Sequence, residues 1–296
     1  MNNRPLLKGV IIFFTVLLLF FAGIYALTVF TEGGGPVSGD RIAVVRIEGV
    51  ILDATDTLDE LKKYKDNPSV KAILIRINSP GGAVVPSQEI YEEIQKIRKE
   101  NGKKIIISMG TLAASGGYYI ASASDRIIAN PGTLTGSIGV IMELMNVEGL
   151  FKKVGVESMV IKSGLRKDVG SPFRSMTPEE KEYLQKVMDD VHFQFIDAVA
   201  KGRGMTVDAV RLLADGRVFT GRQALENNLV DELGDFEDAL HAAGKMVGIK
   251  GEPKTIETKK RFSLSDLLKG QFLDTSRLMN LAPKGAPGLN YLWMPG

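Results

Sequence analysis

The chain has 296 residues, 24% of them charged and 44% hydrophobic, with a formal charge of +2. That composition is globular and long enough for one large α/β domain or two small ones, and it gives no electrostatic case for a nucleic-acid partner. With no cysteine and no metal or nucleotide motif, disulfides, thiolate catalysis and thiolate zinc sites are excluded and no cofactor is expected.

From Gly9 to Thr31 the chain runs 23 residues without a charge. At about 1.5 Å per helical residue, such a run exceeds the roughly 30 Å hydrocarbon core of a bilayer. A secretory signal has a shorter apolar region and a small-x-small cleavage site, whereas here Ile24 stands two before Ala26. Residues 9–31 therefore read as an uncleaved transmembrane anchor. Arg4 and Lys8 precede it, while Glu32 and Asp40 follow. The positive-inside tendency then puts residues 1–8 in the cytoplasm and everything after the span on the outer side. Residues 32–40, EGGGPVSGD, read as a short flexible linker.

Apolar runs of strand length then alternate with amphipathic segments. RIAVVRIEGVI is β-branched, and KAILIRI leads through the turn NSPGG into a helix, PSQEIYEEIQKIRKENG, with Ile90, Ile94 and Ile97 on one stripe. KKIIIS, DRIIAN and ESMVIKSG read as further strands. This order predicts a largely parallel sheet covered by helices. Thr177 with Glu180, and Thr220 with Gln223, form capping boxes that open later helices, the first running toward Lys201 and stopping at GRG. Residues 41–250 read as one catalytic-sized domain and 251–296 as a tail. In that tail RFSLSDLLKGQFLDTSRLMN has the pattern of one short helix, and LAPKGAPGLNYLWMPG that of irregular chain.

Ser115 lies in MGTLAASGGYY, directly after a predicted strand. A serine among small residues at a strand-to-helix turn presents its hydroxyl clear of the sheet, but Ala113 replaces the first glycine of the Gly-x-Ser-x-Gly elbow. From the residues alone, a nucleophile and a plain tight bend both stand. NSPGGAV is a second glycine turn, where outward backbone N–H groups suit an oxyanion and where Pro-Gly turn chemistry alone also suffices. The two histidines, His192 and His241, sit within helical patterns, with no local support for a Ser-His-Asp triad. Lysine is the other base, and it works only when burial or neighbouring positive charge lowers its pKa from about 10.4. IKSGLRKDVGSPFR offers Lys162 and Lys167 without saying which is buried.

Taken together, NSPGG, MGTLAASGGYYIA, ANPGTLTGSIGV, KSGLRKDVGSPFR and GRVFTG with QALENNLVDELG resemble the ordered motifs of the S49 family of serine peptidases. The likeness is to its short, single-domain bacterial signal peptide peptidases, and it covers about residues 41–245 as well as the anchor. It implies an α/β fold of the Clp protease/crotonase type, a spiral of ββα units. It also implies Ser115 as nucleophile, Lys167 as general base, Ser137 as the residue orienting the lysine, and Gly82 with Gly116 as oxyanion donors. Asp168 must then point away from Lys167, with Arg166 and Arg174 as candidate partners. The implied substrates are signal-peptide remnants and other hydrophobic peptides, cut at a bacterial cytoplasmic membrane on its outer side. The implied assembly is a homo-oligomeric ring or bowl in which Ser115 and Lys167 can come from adjacent subunits. Two other readings stay open: a related membrane protease acting on a stomatin-like protein, and a crotonase-fold acyl-binding or scaffold module without hydrolysis.

Overall fold

The computed structural model describes residues 13–23, 39–258 and 290–293, and it divides into two units, Met1–Gly39 and Asp40–Gly296. In the first unit, residues 13–23 form helix α1 with its Phe, Val and Leu side chains exposed. No helix among the described residues is long and apolar enough to cross a membrane. The remainder of the expected anchor 9–31, residues 1–8, linker residues 32–38 and the expected tail helix lie outside the described residues.

The second unit is built on an eight-stranded mixed sheet. Its main path runs β7 (Val218–Thr220), β6 (Leu134–Gly136), β4 (Lys104–Ala114), β2 (Val70–Ser79), β1 (Arg41–Glu48), β9 (Lys254–Glu257). Strand β5 (Arg126–Ala129) pairs with β4 and with β8 (Glu232–Leu233). The central pairs are parallel, with Val44 opposite Leu74 and Ile75 opposite Ile107, and only β6–β7 is antiparallel. Strands covered on both faces need continuous apolar runs, which explains AILI and IIIS. Alternate residues divide between two cores. Ile42, Ala72, Leu74, Ile106 and Ile128 face Ala239, Leu240 and Ala243 of helix α9 (Phe236–Met246). Ile73, Ile75, Ile77, Ile105 and Ile107 face the other way, into the larger core.

That larger core is closed by α2 (Thr55–Lys65), α3 (Val84–Lys96) with its π-helical end at Ile97–Asn101, the short α4 (Gly116–Ala121) and the long α6 (Pro178–Arg203). Thr177 caps α6 through the expected box with Glu180, and Gly204 ends it at φ 63°. A left-handed terminal residue is where glycine carries no Cβ penalty. Thr220 and Gln223 likewise cap α8, which spans only Gly221–Glu226. Short helices α5 (Glu148–Val154) and α7 (Val207–Arg211) complete the set.

Two expectations fail. ESMVIKSG forms no strand; its residues are exposed, irregular chain with no sheet neighbour. The Pro/Gly-rich end is not wholly irregular, since β10 (Asn290–Leu292) pairs antiparallel with β3 (Gly81–Ala83). Three residues are too few to show a period in sequence, so this strand is set by its docking partner rather than by local pattern.

Candidate active site

Two strand ends create the site. Strand β4 pairs with β2 in simple register up to Ile77–Met109, then shifts so that Ser79 faces Ala113. The extra residues bend β4 out of line and are pinned by side chains. Leu112 N–H donates to Asn78 Oδ1 at 3.2 Å, Thr133 Oγ1 to the Gly110 carbonyl at 2.7 Å, and Thr135 Oγ1 to the Ala113 carbonyl at 2.7 Å. Past the bend, β4 leaves β2 for β6, with Ala114 opposite Gly136.

Ser115 follows immediately, between β4 and α4. Its backbone sits at φ 54°, ψ −117°, a conformation that favours glycine and costs a non-glycine residue about 1–3 kcal/mol. The Ser115 N–H donates to the Gly136 carbonyl at 2.8 Å, and its carbonyl accepts from Tyr119 N–H at 2.8 Å. The backbone is thus over-determined while the hydroxyl is left alone. Ser115 is fully buried and its Oγ has no hydrogen-bond partner. An unsatisfied buried hydroxyl held in a strained turn has the character of a reserved nucleophile.

The second strand end is the turn after β2. Gly81 has φ 95°, and its N–H donates to Ser79 Oγ at 3.1 Å. Ile51 brackets this segment, donating to the Gly81 carbonyl at 2.9 Å and accepting from Ala83 N–H at 2.8 Å. A Cβ on Gly82 would lie 2.1 Å from the Ile51 carbonyl oxygen, so only glycine fits. A Cβ on Gly116 would come within 3.3 Å of Gly82 N and 2.6 Å of Ser87 Oγ. The Gly81–Gly82 turn therefore packs directly against Gly116, the residue after Ser115, and brings the Gly82 and Gly116 amides close together. Paired N–H groups of this kind suit a developing oxyanion.

Ser137 is the third expected residue near this point. It follows Gly136 at φ 51°, is 7% exposed, and its N–H donates to the Arg217 carbonyl at 2.8 Å. It lines a cavity of about 510 Å³ with Val140, Ile141, Met188, His192 and Trp293. Sequence reasoning passed over this wall. His192 Nε2 is buried there with no hydrogen-bond partner. His241 is exposed on α9, across the sheet from that core.

Lys167 is not hydrogen-bonded to the Ser115 hydroxyl, which has no partner. It is exposed, in the irregular stretch after α5, and its N–H donates to the Gly164 carbonyl at 3.2 Å. The carboxylate of Asp168 beside it is taken up by other partners. It bonds Arg174 Nε at 2.9 Å and, by a short contact, Lys162 Nζ. Those bonds hold its carboxyl well below the ordinary range. Arg174 also grips Glu180 at 2.6 Å, which with the Thr177 N–H brings the Glu180 carboxyl down to about 2. Lys162 is the partner that sequence reasoning did not name. Arg166 instead stacks over the Tyr183 ring at 4.8 Å. No group of His, Asp and Glu among the described residues is arranged to hold a metal ion.

Comparison with known proteins identifies the family and the fold. The profile of Peptidase family S49 matches residues 97–250, and that of Clp protease matches residues 51–134. A putative protease of Synechocystis is 47% identical over 230 residues, covering 77% of each chain. A putative signal peptide peptidase SppA of Enterococcus faecium is 41% identical over 221 residues, 70% of this chain and 64% of that one. Protease 4 of Haemophilus influenzae is 37% identical over 217 residues, 70% of this chain but only 35% of its own length. The fold is Clp protease-like, and the chain belongs to the S49 family of serine peptidases.

Proposed function

We propose that the chain is a membrane-tethered endopeptidase that cuts signal-peptide remnants and other hydrophobic peptides by a Ser-Lys dyad. The observation that carries the reading is the fully buried, unpartnered Ser115 hydroxyl, set in a strained turn opposite the Gly82 and Gly116 amides. In this mechanism uncharged Lys167 takes the Ser115 proton as Oγ attacks the scissile carbonyl. Gly82 and Gly116 hold the oxyanion, Lys167 passes the proton to the leaving amine, and a water activated by the Lys167 amine releases the acyl group. Ser137 holds the lysine amine in place.

The dyad forms between two copies of the chain. Support comes from the stretch that carries Lys167, where Met159 is 89%, Ile161 94% and Leu165 83% exposed. Apolar side chains this exposed, within a few residues of one another, mark a surface that another molecule covers. Covering it would also desolvate Lys167, which is what a lysine base needs. Substrate class and the outer side of a bacterial cytoplasmic membrane follow from the apolar run at 9–31 and the charges flanking it.

The test is hydrolysis of a synthetic signal peptide by the purified chain. Cleavage within the apolar core, lost in Ser115→Ala and in Lys167→Ala, is the expected result. A chain inert toward this peptide but active on a stomatin-like membrane protein contradicts the substrate assignment. Inertness toward every peptide and toward fluorophosphonate contradicts the enzyme reading in favour of a scaffold.

A further inference from the structure

Three residues of β4 stand where β2 offers one. Ile77 pairs with Met109 and Ser79 with Ala113, so Asn78 lies opposite Gly110, Thr111 and Leu112. A ladder interrupted in this way leaves backbone N–H groups without a partner from the neighbouring strand, and something else must satisfy them. For Leu112 that partner is a side chain: its N–H donates to Asn78 Oδ1 at 3.2 Å. The carboxamide stands in for a main-chain carbonyl. It also lies against Gly110, where a Cβ would come within 3.0 Å of Asn78 Cβ and Oδ1. Asn78 and Gly110 are thus fitted to one another, and the bulge takes its shape from the pair.

The main chain of Asn78 is fixed as well. It pairs with Glu48 of β1, and its carbonyl accepts from Gly49 N–H at 3.0 Å. The chain then continues at once through Ser79 and Pro80 into Gly81 and Gly82, the turn assigned to the oxyanion. Leu112, which the Asn78 side chain holds, stands three residues before Ser115. Thr133 and Thr135 bond the same stretch of β4, but from the β6 side. The Asn78 bond ties it to the strand that carries the oxyanion turn. One residue therefore starts one half of the site with its backbone and holds the other half with its side chain.

We infer that Asn78 is a positioning residue for hydrolysis, setting through its side-chain oxygen the distance between the Ser115 hydroxyl and the Gly82 amide. This rests on the reading of Ser115 as nucleophile and Gly82 as oxyanion donor. Ser115 Oγ has no hydrogen-bond partner of its own, so its place is set by the backbone that arrives from Leu112. A reacting group displaced by about 1 Å can lose on the order of 10²-fold in rate. The bond to Leu112 needs an acceptor oxygen at this position and makes no use of the side-chain nitrogen. Asn78 is exposed and belongs to neither core, so exchange there leaves the packing of the sheet untouched.

Asn78→Leu and Asn78→Asp, made in the full-length chain, test the inference. Both keep bulk beside Gly110, and only aspartate keeps an oxygen for the Leu112 N–H. Fluorophosphonate counts the active sites at its end point and reports the reactivity of Ser115 through its rate; kcat and KM are measured beside it on a synthetic signal peptide. Asn78→Leu is expected to lower both the labelling rate and kcat per active site by about tenfold or more, with KM little changed. Asn78→Asp is expected to stay within severalfold of wild type. Should the leucine variant not fold, Asn78→Ala takes its place with the same expectation. A residue that served folding alone would lower Tm and the number of active sites while each site kept its wild-type kcat, and that result overturns the inference. Equal losses in Asn78→Leu and Asn78→Asp overturn it too, because the acceptor oxygen would then count for nothing. In both cases a wild-type chain that labels at Ser115 and cuts the peptide leaves the peptidase reading standing. A wild-type chain that neither labels at Ser115 nor cuts defeats that reading and the inference with it.

Discussion

The N–H of Ser115 donates to the carbonyl of Gly136 at 2.8 Å, tying the turn of the proposed nucleophile to the strand end that leads into Ser137. With the β4–β6 pairing and the Thr135–Ala113 bond, it ties the end of β4 to the end of β6. The serine hydroxyl is consequently placed by backbone, and among the described residues no side chain hydrogen-bonds it.

Ser115→Gly is expected to abolish hydrolysis and to raise stability together. The hydroxyl makes no hydrogen bond to lose, and glycine relieves a φ of 54°. Relief of about 1 kcal/mol corresponds to a rise in Tm of roughly 2–4 °C for a domain of this size. Thermal unfolding measured beside peptide hydrolysis checks it, and a lowered Tm contradicts the strain assignment.

Gly116→Ala is expected to lower kcat by on the order of 10²-fold, the typical cost of disturbing one oxyanion donor. Its Cβ would meet Ser87 Oγ at 2.6 Å. Ser87→Ala removes that oxygen, so the double variant Gly116→Ala/Ser87→Ala recovers much of the loss. Steady-state kinetics on the four variants of this cycle give the coupling; simple additivity counts against the steric account.

Mixing two inactive chains distinguishes a dyad within one chain from one shared between copies. Ser115→Ala and Lys167→Ala are each expected to lose about 10³-fold or more in kcat. Co-assembled, they restore activity at those interfaces where an intact serine meets an intact lysine. His192→Ala is expected to stay within severalfold of wild type. A dead His192→Ala beside an active Lys167→Ala reassigns the base to the unpartnered imidazole at the cavity wall.

Acid is expected to loosen the loop that carries Lys167. The Glu180 carboxyl is lowered from its ordinary 4.5 to about 2, so its contribution is complete above pH 4.5 and fades as pH falls toward 2. Asp168 is lowered in the same sense by Arg174 and Lys162. Hydrogen exchange of residues 162–180, corrected for intrinsic rates, should show protection lost across that window. Arg174→Gln is expected to remove the protection at neutral pH as well.

Much of the fold was legible because its strands are buried on both faces and therefore read as uninterrupted Ile and Leu. The two capping boxes were legible because Thr177–Glu180 and Thr220–Gln223 are local chemistry. Ser115 stood out by its small neighbours, though only the ordered motif series turned a bend into a candidate nucleophile. The failures share a cause. ESMVIKSG has the residues of a strand, but whether such residues pair depends on a sheet edge within reach, and these stay exposed and irregular. β10 lies in Pro/Gly-rich sequence, and its partner stands some two hundred residues earlier in the chain, at Gly81–Ala83. The aromatic cluster in NYLW, which includes the chain's one tryptophan, was the available signal.

The most direct test of the central claim is mass-spectrometric mapping of a fluorophosphonate adduct on the full-length chain. The account predicts a single adduct on Ser115, formed as peptide hydrolysis is lost and absent from Ser115→Ala. An adduct on another serine, or hydrolysis that persists in Ser115→Ala, would contradict it.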